Sequence, residues 1–390
     1  MLDKGGVNRY PYYFLLLYAL TYMGNAVYGT FIPVYLNGIG FSKTAVGTLL
    51  ALGPLIACIA QPIWGLASDR AASKNSVLKT LILGSAAAIV LYPLSGSFFY
   101  LLAVMVVFSF FQSSINPISD AITLEHLEAS RWRFSRIRLA GTLGFAVMSV
   151  ITGVVALRNL NWIFFLYFAI AIAAFFAAFR LPVVQGHQSA GSRVPVWHLF
   201  KSRELIALIG FNFVIQLTFG FYYSFFPIHF KQMGADSAML GWAMLITSTS
   251  EIPFLLFADK ILDRLGVKPT LVLSSLIIAI RWLLLFFVTD TYAILVVNAS
   301  HGLTFIVFSF CLATFINKNV PKELRASGQT MNALLCMGLA RIAGSVFGGI
   351  FSDMLGIRQV FLYTSLIDFA AAVIFGAPFL FQRQKGGNIK

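Results

Sequence analysis

Seven ionisable side chains stand inside long apolar stretches of this sequence. They are Asp120, Arg138, Glu251, Arg281, His301, Arg341 and Asp368. A charge in the middle of a membrane costs at least about 2.5–3.5 kcal/mol on insertion scales, so such residues are expected to pair or to line a polar cavity. Carboxylates bind and release protons, guanidinium groups bind hydroxyls and anions, and histidine titrates near neutral pH. This combination is suited to binding a polar solute together with protons.

The stretches that carry these residues are long enough to cross a membrane. Of the 390 residues, 59% are hydrophobic and 11% are charged, whereas soluble proteins average about 45–50% and 25%. A spanning helix needs roughly 20 mostly apolar residues. Twelve such runs are present, near 11–36, 43–67, 76–96, 98–124, 137–157, 161–181, 204–229, 237–258, 268–288, 291–316, 326–350 and 358–381. The sequence therefore predicts an all-α integral membrane protein with 12 transmembrane helices.

The basic residues orient these helices. Of the 28 Lys and Arg residues, 21 fall in segments that are cytoplasmic if the N-terminus is inside, and four fall in the outer loops. Because positive residues concentrate on the cytoplasmic side, we expect a multi-pass protein of the cytoplasmic membrane with both termini inside. The same bias explains the net charge of +14 and excludes nucleic acid as a partner.

A polar segment divides the chain into halves. Residues 182–203 contain Pro, Gly, Ser and basic side chains, which is typical of a linker. This cytoplasmic linker would separate a six-helix bundle at 1–181 from a second six-helix bundle at 204–390. Parallel six-helix repeats are a common construction of secondary transporters.

A short motif occurs twice, at the cytoplasmic ends of the second and eighth helices. Its two copies, 194 residues apart, are Asp69, Arg70 and Lys74, and Asp263, Arg264 and Lys268. Together with the helix count and the linker, residues 65–74 resemble the loop signature of the major facilitator superfamily. The resemblance implies two pseudo-symmetric bundles and a gate. A carboxylate at a helix end can hold cations and helix N-termini of the next bundle, and the implied gating residues are Asp69, Arg70, Lys74, Asp263 and Arg264.

Counting from the predicted turns places several membrane charges at matching depths. Asp120 and Arg138 are each nine residues from one cytoplasmic turn, so at 1.5 Å per residue both lie roughly 13 Å from it and can form an ion pair. Arg281 and His301 are each ten residues from one outer turn. Glu251 lies at a comparable depth. We therefore expect acidic and basic groups of both halves to converge on one level of the membrane.

The remaining polar groups are open to two interpretations. Asn116 stands one turn before the carboxylate of the fourth helix, and Asn25 and Tyr28 lie on one side of the first helix. Each could contact a solute or serve interhelical packing. Arg341 and Asp368 flank the last turn, and we expect them to form a structural charge pair.

The spacing of the charged residues indicates which group within the superfamily the sequence resembles. The carboxylate Asp120, eighteen residues before Arg138, and the run at 134–141 resemble the lactose permease group. Arg281 and His301, twenty residues apart, have the spacing that this group shows. The related 3-phenylpropionate and nucleoside symporters look at least as similar.

This resemblance implies roles for individual residues. The implied substrate-binding residues are Asp120 and Arg138, with Phe145 at the position of an aromatic side chain that stacks on a sugar. Substrate and proton coupling would be carried by Glu251, Arg281 and His301. One departure is Thr304, which stands where the permease has a glutamate central to proton release. We therefore expect the proton on Asp120 or Glu251, with His301 taking part.

The function predicted is secondary active transport. We expect proton-coupled uptake of a small polar organic solute, such as a sugar or glycoside, by alternating access around a central site. The proton gradient would supply the energy, and neither cofactor, metal nor catalytic residue is expected in a monomer surrounded by lipid. Nucleoside or aromatic-acid symport and efflux antiport by the same fold remain alternatives. Motifs of zinc proteases, serine hydrolases and phosphate-binding loops are absent from the sequence, which argues against an enzyme.

Overall fold

The computed structural model describes residues 10–127, 132–185, 202–321 and 324–385, and all their regular secondary structure is helical. Most of the predicted linker and both chain ends lie outside these residues. Eleven helical spans of the described chain are long and apolar enough to cross a membrane, and a twelfth apolar helix, Trp162–Ala178, has 17 residues. This confirms the all-α membrane fold and is consistent with 12 spans.

The chain forms two compact units. The first comprises the described residues of Met1–Phe41, Leu49–Gly191 and Ala235–Leu245. The second comprises those of Ser42–Thr48, Ser192–Gly234 and Ile246–Lys390. The division at 182–203 stays a prediction.

The seven helices of the first half of the chain belong wholly or mainly to the first unit. They are α1 (Tyr10–Gly38), α2 (Lys43–Arg70), α3 (Lys74–Ile89), α4 (Phe98–Gln112), α5 (Ile115–Leu127), α6 (Phe134–Arg158) and α7 (Trp162–Ala178). Within this unit α1 packs along α6 and α7, and α3 packs against α7. The residues between α1 and α6 thus form the polar interior described below.

The remaining helices lie in the second unit, with one exception. They are α8 (Arg203–Gln232), α9 (Ser237–Thr249), α10 (Glu251–Leu265), α11 (Val267–Phe287), α12 (Thr291–Asn298), α13 (Phe305–Asn319), α14 (Arg325–Asn332), α15 (Arg341–Leu355) and α16 (Ile357–Lys385). The first part of α9, up to Leu245, belongs to the first unit. The helix α8 packs against α15, and α11 packs against α16. A Cβ on Gly344 would lie 1.9 Å from the carbonyl oxygen of Leu217, so only glycine lets α8 and α15 approach this closely.

The outer surface of the units is suited to lipid. Large apolar side chains such as Leu256 and Val296 are each 74% exposed. Such a surface is unfavourable in water and favourable against hydrocarbon. The polar side chains face the interior instead, where helix–helix contacts position them.

Four spans that the sequence predicts as continuous are interrupted. One breaks between α4 and α5, a second at Ser250 between α9 and α10, and a third through the 3-10 segment Ala299–Leu303 before α13. A π-helical segment, Ala333–Ala340, precedes α15. Irregular backbone at membrane depth is tolerated only where protein or a polar cavity satisfies it, and in transporters interrupted helices often form the binding site.

Candidate functional site

A buried arginine is the centre of the polar cluster in the second unit. Arg281 on α11 is 1% exposed. Its Nη2 donates to the hydroxyl of Tyr222 at 2.6 Å and to Oδ1 of Asn298 at 2.8 Å. Its guanidinium also stacks on the Tyr222 ring, 4.4 Å from the ring centre. Several neutral acceptors thus hold the charge, as a cation buried from water requires.

The histidine next to this arginine has a defined tautomer. Nη1 of Arg281 lies 2.9 Å from Nδ1 of His301, and a guanidinium can only donate. In the neutral ring Nδ1 is therefore the acceptor, and the ring proton sits on Nε2. That nitrogen lies 3.3 Å from the hydroxyl of Tyr223 and 3.5 Å from Oε1 of Glu251. Nε2 therefore carries its proton on the side that faces the Glu251 carboxylate, which can accept it.

Two helix breaks meet at this cluster. The amide of Gly302 donates to Oγ of Ser250 at 2.9 Å, one residue before Glu251. The hydroxyl of Ser274 donates to the carbonyl of Leu303 at 2.8 Å. Thr304 donates to the carbonyl of His301 at 2.5 Å. Backbone groups of the 299–303 break are thereby hydrogen-bonded, and the Thr304 hydroxyl is bonded within its own turn.

The expected pair of Arg341 and Asp368 is wrong. Nε of Arg341 donates to Oε1 of Gln216 at 3.1 Å, while Asp368 accepts from Thr218 on α8 and Trp282 on α11. The two residues do lie on adjacent helices near similar depths. However, the Asp368 side chain faces α8 and α11, because depth along a helix does not fix its direction around the axis.

Arg341 instead lies between aromatic rings. Its guanidinium is 5.1 Å from the ring centre of Tyr223 and 5.2 Å from that of Phe305. Its buried Nη2 has no hydrogen-bond partner among the residues that the structure describes. An unfilled donor on a cation flanked by aromatic faces is suited to an acceptor oxygen of a ligand.

The first unit contains a second cluster, built on α1, α5 and α6. The hydroxyl of Tyr18 donates to Oδ1 of Asp120 at 2.5 Å. The guanidinium of Arg138 lies over the ring of Tyr22, 4.5 Å from its centre, and the Tyr18 and Tyr22 rings stack with an interplanar angle of 9°. Two tyrosines one turn apart on α1 thus link the carboxylate and the arginine, whose direct ion pair stays a prediction.

The predicted neutral polar residues of this unit separate into two groups. Asn25 accepts from Nε2 of Gln112 at 2.8 Å, and together with Asn116 they line a cavity of about 20 Å³, which is room for one water. The hydroxyl of Tyr28, by contrast, is 2.9 Å from that of Tyr92, within an aromatic cluster. The partly exposed Phe145 lies on α6. The roles assigned to these residues stay predictions.

The repeated motif lies at the helix ends that the sequence predicts. Asp69 and Arg70, which end α2, are exposed, as are Asp263 and Arg264 near the end of α10. The lysine of each copy pairs within its own unit. Nζ of Lys74 lies 2.7 Å from Oε2 of Glu125, and Lys268 pairs with Glu204. The gating role of the motif stays a prediction.

Sequence reasoning gives Tyr222 and Tyr223 no role in the second cluster and offers Asn298 only as a residue that could add hydrogen bonds. Asn298 stands three residues before His301, so helical spacing alone puts both on one face. Tyr222 and Tyr223 carry no such signal, since they lie in an apolar run rich in aromatic residues. Arg341 was assigned to a structural pair because only its depth was counted.

We expect Tyr18→Phe to weaken solute binding in the first unit. The change removes the hydrogen bond that Tyr18 donates to Oδ1 of Asp120 and keeps the aromatic ring that stacks on Tyr22. A hydrogen bond to a charged group contributes about 1.5–3 kcal/mol, so the apparent affinity should fall roughly tenfold or more. Equilibrium binding to purified protein measures this, with Tyr12→Phe, on an exposed ring, as the matched control. Unchanged affinity in Tyr18→Phe would contradict a binding role for Asp120.

The comparisons with known proteins agree with this fold. The MFS_1 like family matches residues 12–363, and the chain belongs to that family of the major facilitator superfamily. It is similar to the maltose permease of Geobacillus stearothermophilus, with 26% identity over 374 residues and 95% of each chain covered. It is also similar to the lactose permease of Klebsiella oxytoca, with 21% identity over 389 residues and 93% and 92% covered. The protein is a membrane transporter of the permease kind.

A solved structure supports the fold. The crystal structure of nucleoside transporter NupG superposes with a TM-score of 0.82. It covers 95% of this chain and 98% of its own, with 18% sequence identity. At this identity the likeness concerns the fold.

Proposed function

We propose that this transporter takes up a small polar organic solute, with a sugar or glycoside as the preferred class, together with protons. The observation that carries the proposal is the arrangement of Arg281, His301 and Glu251 at two helix breaks. The hydrogen bond from Arg281 to Nδ1 fixes the tautomer of His301, and the ring proton on Nε2 faces Glu251. A titratable pair held by a permanent cation is what proton coupling requires.

The geometry suggests the order of the proton step. The Glu251 side chain is 21% exposed, whereas that of His301 is 2% exposed, so Glu251 is the group that exchanges protons with water. A proton added to His301 can enter only at Nδ1, because Nε2 already carries one, and it would break the hydrogen bond to Arg281, since both groups would then donate. Arg281 would be released toward a solute hydroxyl. Solute binding and proton binding would therefore alter the same guanidinium.

The preference for a sugar rests on chemistry and on relatives. Hydroxyl-rich solutes are bound by carboxylates and guanidinium groups beside aromatic faces, and Asp120 with Tyr18 and Arg138 with Tyr22 provide that combination. The similarity to maltose and lactose permeases points to the same class. In this proposal the first-unit cluster serves recognition and the second-unit cluster serves coupling.

One observation favours a second candidate, an aromatic carboxylate. Nη2 of Arg341 is buried without a partner among the described residues, and the rings of Tyr223 and Phe305 flank its guanidinium. A solute with a carboxylate and an aromatic ring would satisfy both features.

We propose the cytoplasmic membrane as the location, with both termini inside, a monomer as the working unit and the proton gradient as the energy source.

A pH-electrode assay on de-energised cells tests the function. Maltose, lactose, a nucleoside and phenylpropionate would each be added to cells expressing the protein. We expect alkalinisation of the medium with a disaccharide, because protons enter with the solute. Asp120→Asn should abolish the signal, and Asp259→Asn, which changes an exposed carboxylate of α10, should preserve it.

The other outcomes separate the alternatives. A signal with phenylpropionate that Arg341→Gln removes would select the aromatic acid. A signal with the nucleoside alone would select that class. Silence across the panel despite confirmed expression of the membrane protein would rule out symport of these solutes and direct attention to uniport or export.

A further inference from the structure

A buried carboxylate takes no part in either cluster described above. Asp368 on α16 is 0% exposed. Its Oδ2 accepts from Oγ1 of Thr218 at 2.9 Å and from Nε1 of Trp282 at 2.8 Å. Its Oδ1 is buried and has no hydrogen-bond partner among the described residues. Two neutral donors therefore serve one oxygen, and the second oxygen is unsatisfied.

Among the residues that the structure describes, no cation pairs with this carboxylate. The titratable or charged neighbours that the packed helices offer are Tyr222 from α8, Arg281 from α11 and Arg341 from α15. Arg281 donates to His301, Tyr222 and Asn298, and Arg341 donates through Nε to Gln216. Neither guanidinium is hydrogen-bonded to Asp368 in the described part of the chain. An ionised carboxylate without a cation is strongly disfavoured in a membrane interior, and such a group binds a proton instead. Asp368 is thus neutral in this conformation.

The donors to Asp368 come from the helices that carry the Arg281 cluster. Thr218 stands one turn before Tyr222 on α8, and Trp282 follows Arg281 directly on α11. The Arg281 guanidinium also lies 5.0 Å from the Trp282 ring centre. A shift of α8 or α11 when a solute binds Arg281 would therefore change the hydrogen bonds to Asp368. Two sites linked through shared elements affect each other's occupancy reciprocally.

We propose that Asp368 is a second proton-binding site of the transport cycle, distinct from Glu251 and His301. The proposal rests on the proton-coupled function proposed above. Oδ1 carries the proton, the bonds from Thr218 and Trp282 to Oδ2 hold the acid in place, and rearrangement of α8 and α11 releases the proton. The position of Thr304 then needs no acid, because a carboxyl on α16 supplies the second titrating group.

Infrared spectroscopy of the purified protein tests the proton site without any solute. A pH titration records the carbonyl stretch of protonated carboxyl groups. We expect a band that persists at neutral pH and titrates at higher pH, that Asp368→Asn removes, and that Asp259→Asn leaves unchanged. A band that Asp368→Asn does not alter, or one that never titrates, would overturn the proposal in favour of a structural acid.

Transport in proteoliposomes gives the second measurement. One proton carried across 100 mV of membrane potential is worth about 50-fold in accumulation. In Asp368→Asn we expect radiolabelled maltose to accumulate about 50-fold less per 100 mV, while exchange of internal for external maltose continues. Accumulation equal to the wild type, or accumulation driven by Na⁺ in place of protons, would overturn the proposal. If the wild type moves no maltose, the proposed sugar function fails, and the infrared result still decides the proton site.

A second variant applies if Asp368→Asn does not fold. Thr218→Val keeps the carboxyl and the side-chain shape and removes one bond that favours the ionised form. We expect the infrared band to titrate at a higher pH than in the wild type. An unchanged titration would contradict the proposal.

Discussion

Replacing Arg281 by Gln is expected to lower solute uptake by at least about a hundredfold. The guanidinium donates to His301, Tyr222 and Asn298, and breaking a buried charged network costs about 3–5 kcal/mol. Its loss also removes the donor that fixes the His301 tautomer, so the pH profile of any residual transport should change. Initial rates of uptake in proteoliposomes, measured from acid to alkaline pH, test both effects.

A conservative variant and a control variant show which property of Arg281 causes the loss of uptake. Arg281→Lys keeps the charge but not the planar set of donors, and we expect a loss of at least about tenfold. Arg358→Gln is the matched control, because this exposed arginine belongs to neither cluster and donates to the carbonyl of Phe286. If uptake in Arg281→Lys equals that of the wild type, the positive charge alone matters, and the planar arrangement of the guanidinium donors has no role.

The helix positions and the depth of the polar residues could be predicted because both depend on distance along the chain. Hydropathy locates the runs, and a rise of 1.5 Å per residue converts residue counts into depth. Arg281 and His301 were expected at one level for this reason, and the structure brings them to 2.9 Å. The same arithmetic predicts the wrong partner for Asp368, which accepts from Thr218 and Trp282.

The direction of a side chain around the helix axis was the quantity that the sequence did not provide. It depends on an unbroken period of 3.6 residues, and this period is lost at the break around Ser250, in the 3-10 segment Ala299–Leu303 and in the π segment Ala333–Ala340. Arg341 directly follows the π segment, so the direction of its side chain around the helix axis cannot be calculated from the turns before it. These interruptions surround the second cluster, as is common at functional sites.

The two helix breaks contact each other closely at Gly302 and Ser250. A Cβ on Gly302 would lie 1.7 Å from the carbonyl oxygen of Ser250 and 2.8 Å from the backbone nitrogen of Glu251. These are backbone atoms, so the segment before Glu251 must move by an ångström or more to admit a methyl group. We expect Gly302→Ala to lower the melting midpoint by an amount equivalent to about 1–3 kcal/mol of overpacking, and to abolish uptake.

The effect on uptake should exceed the effect on stability. Gly302 follows His301, and Ser250 precedes Glu251, so any relief of the clash separates Nε2 of His301 from Oε1 of Glu251, which are 3.5 Å apart. Gly210→Ala on α8 is the control, since its Cβ would meet only Phe375 at 3.9 Å and should leave the melting midpoint unchanged or raised. Fluorescence melting curves and proteoliposome uptake of both variants decide the matter. Wild-type uptake by Gly302→Ala would show that the spacing of His301 and Glu251 does not control transport.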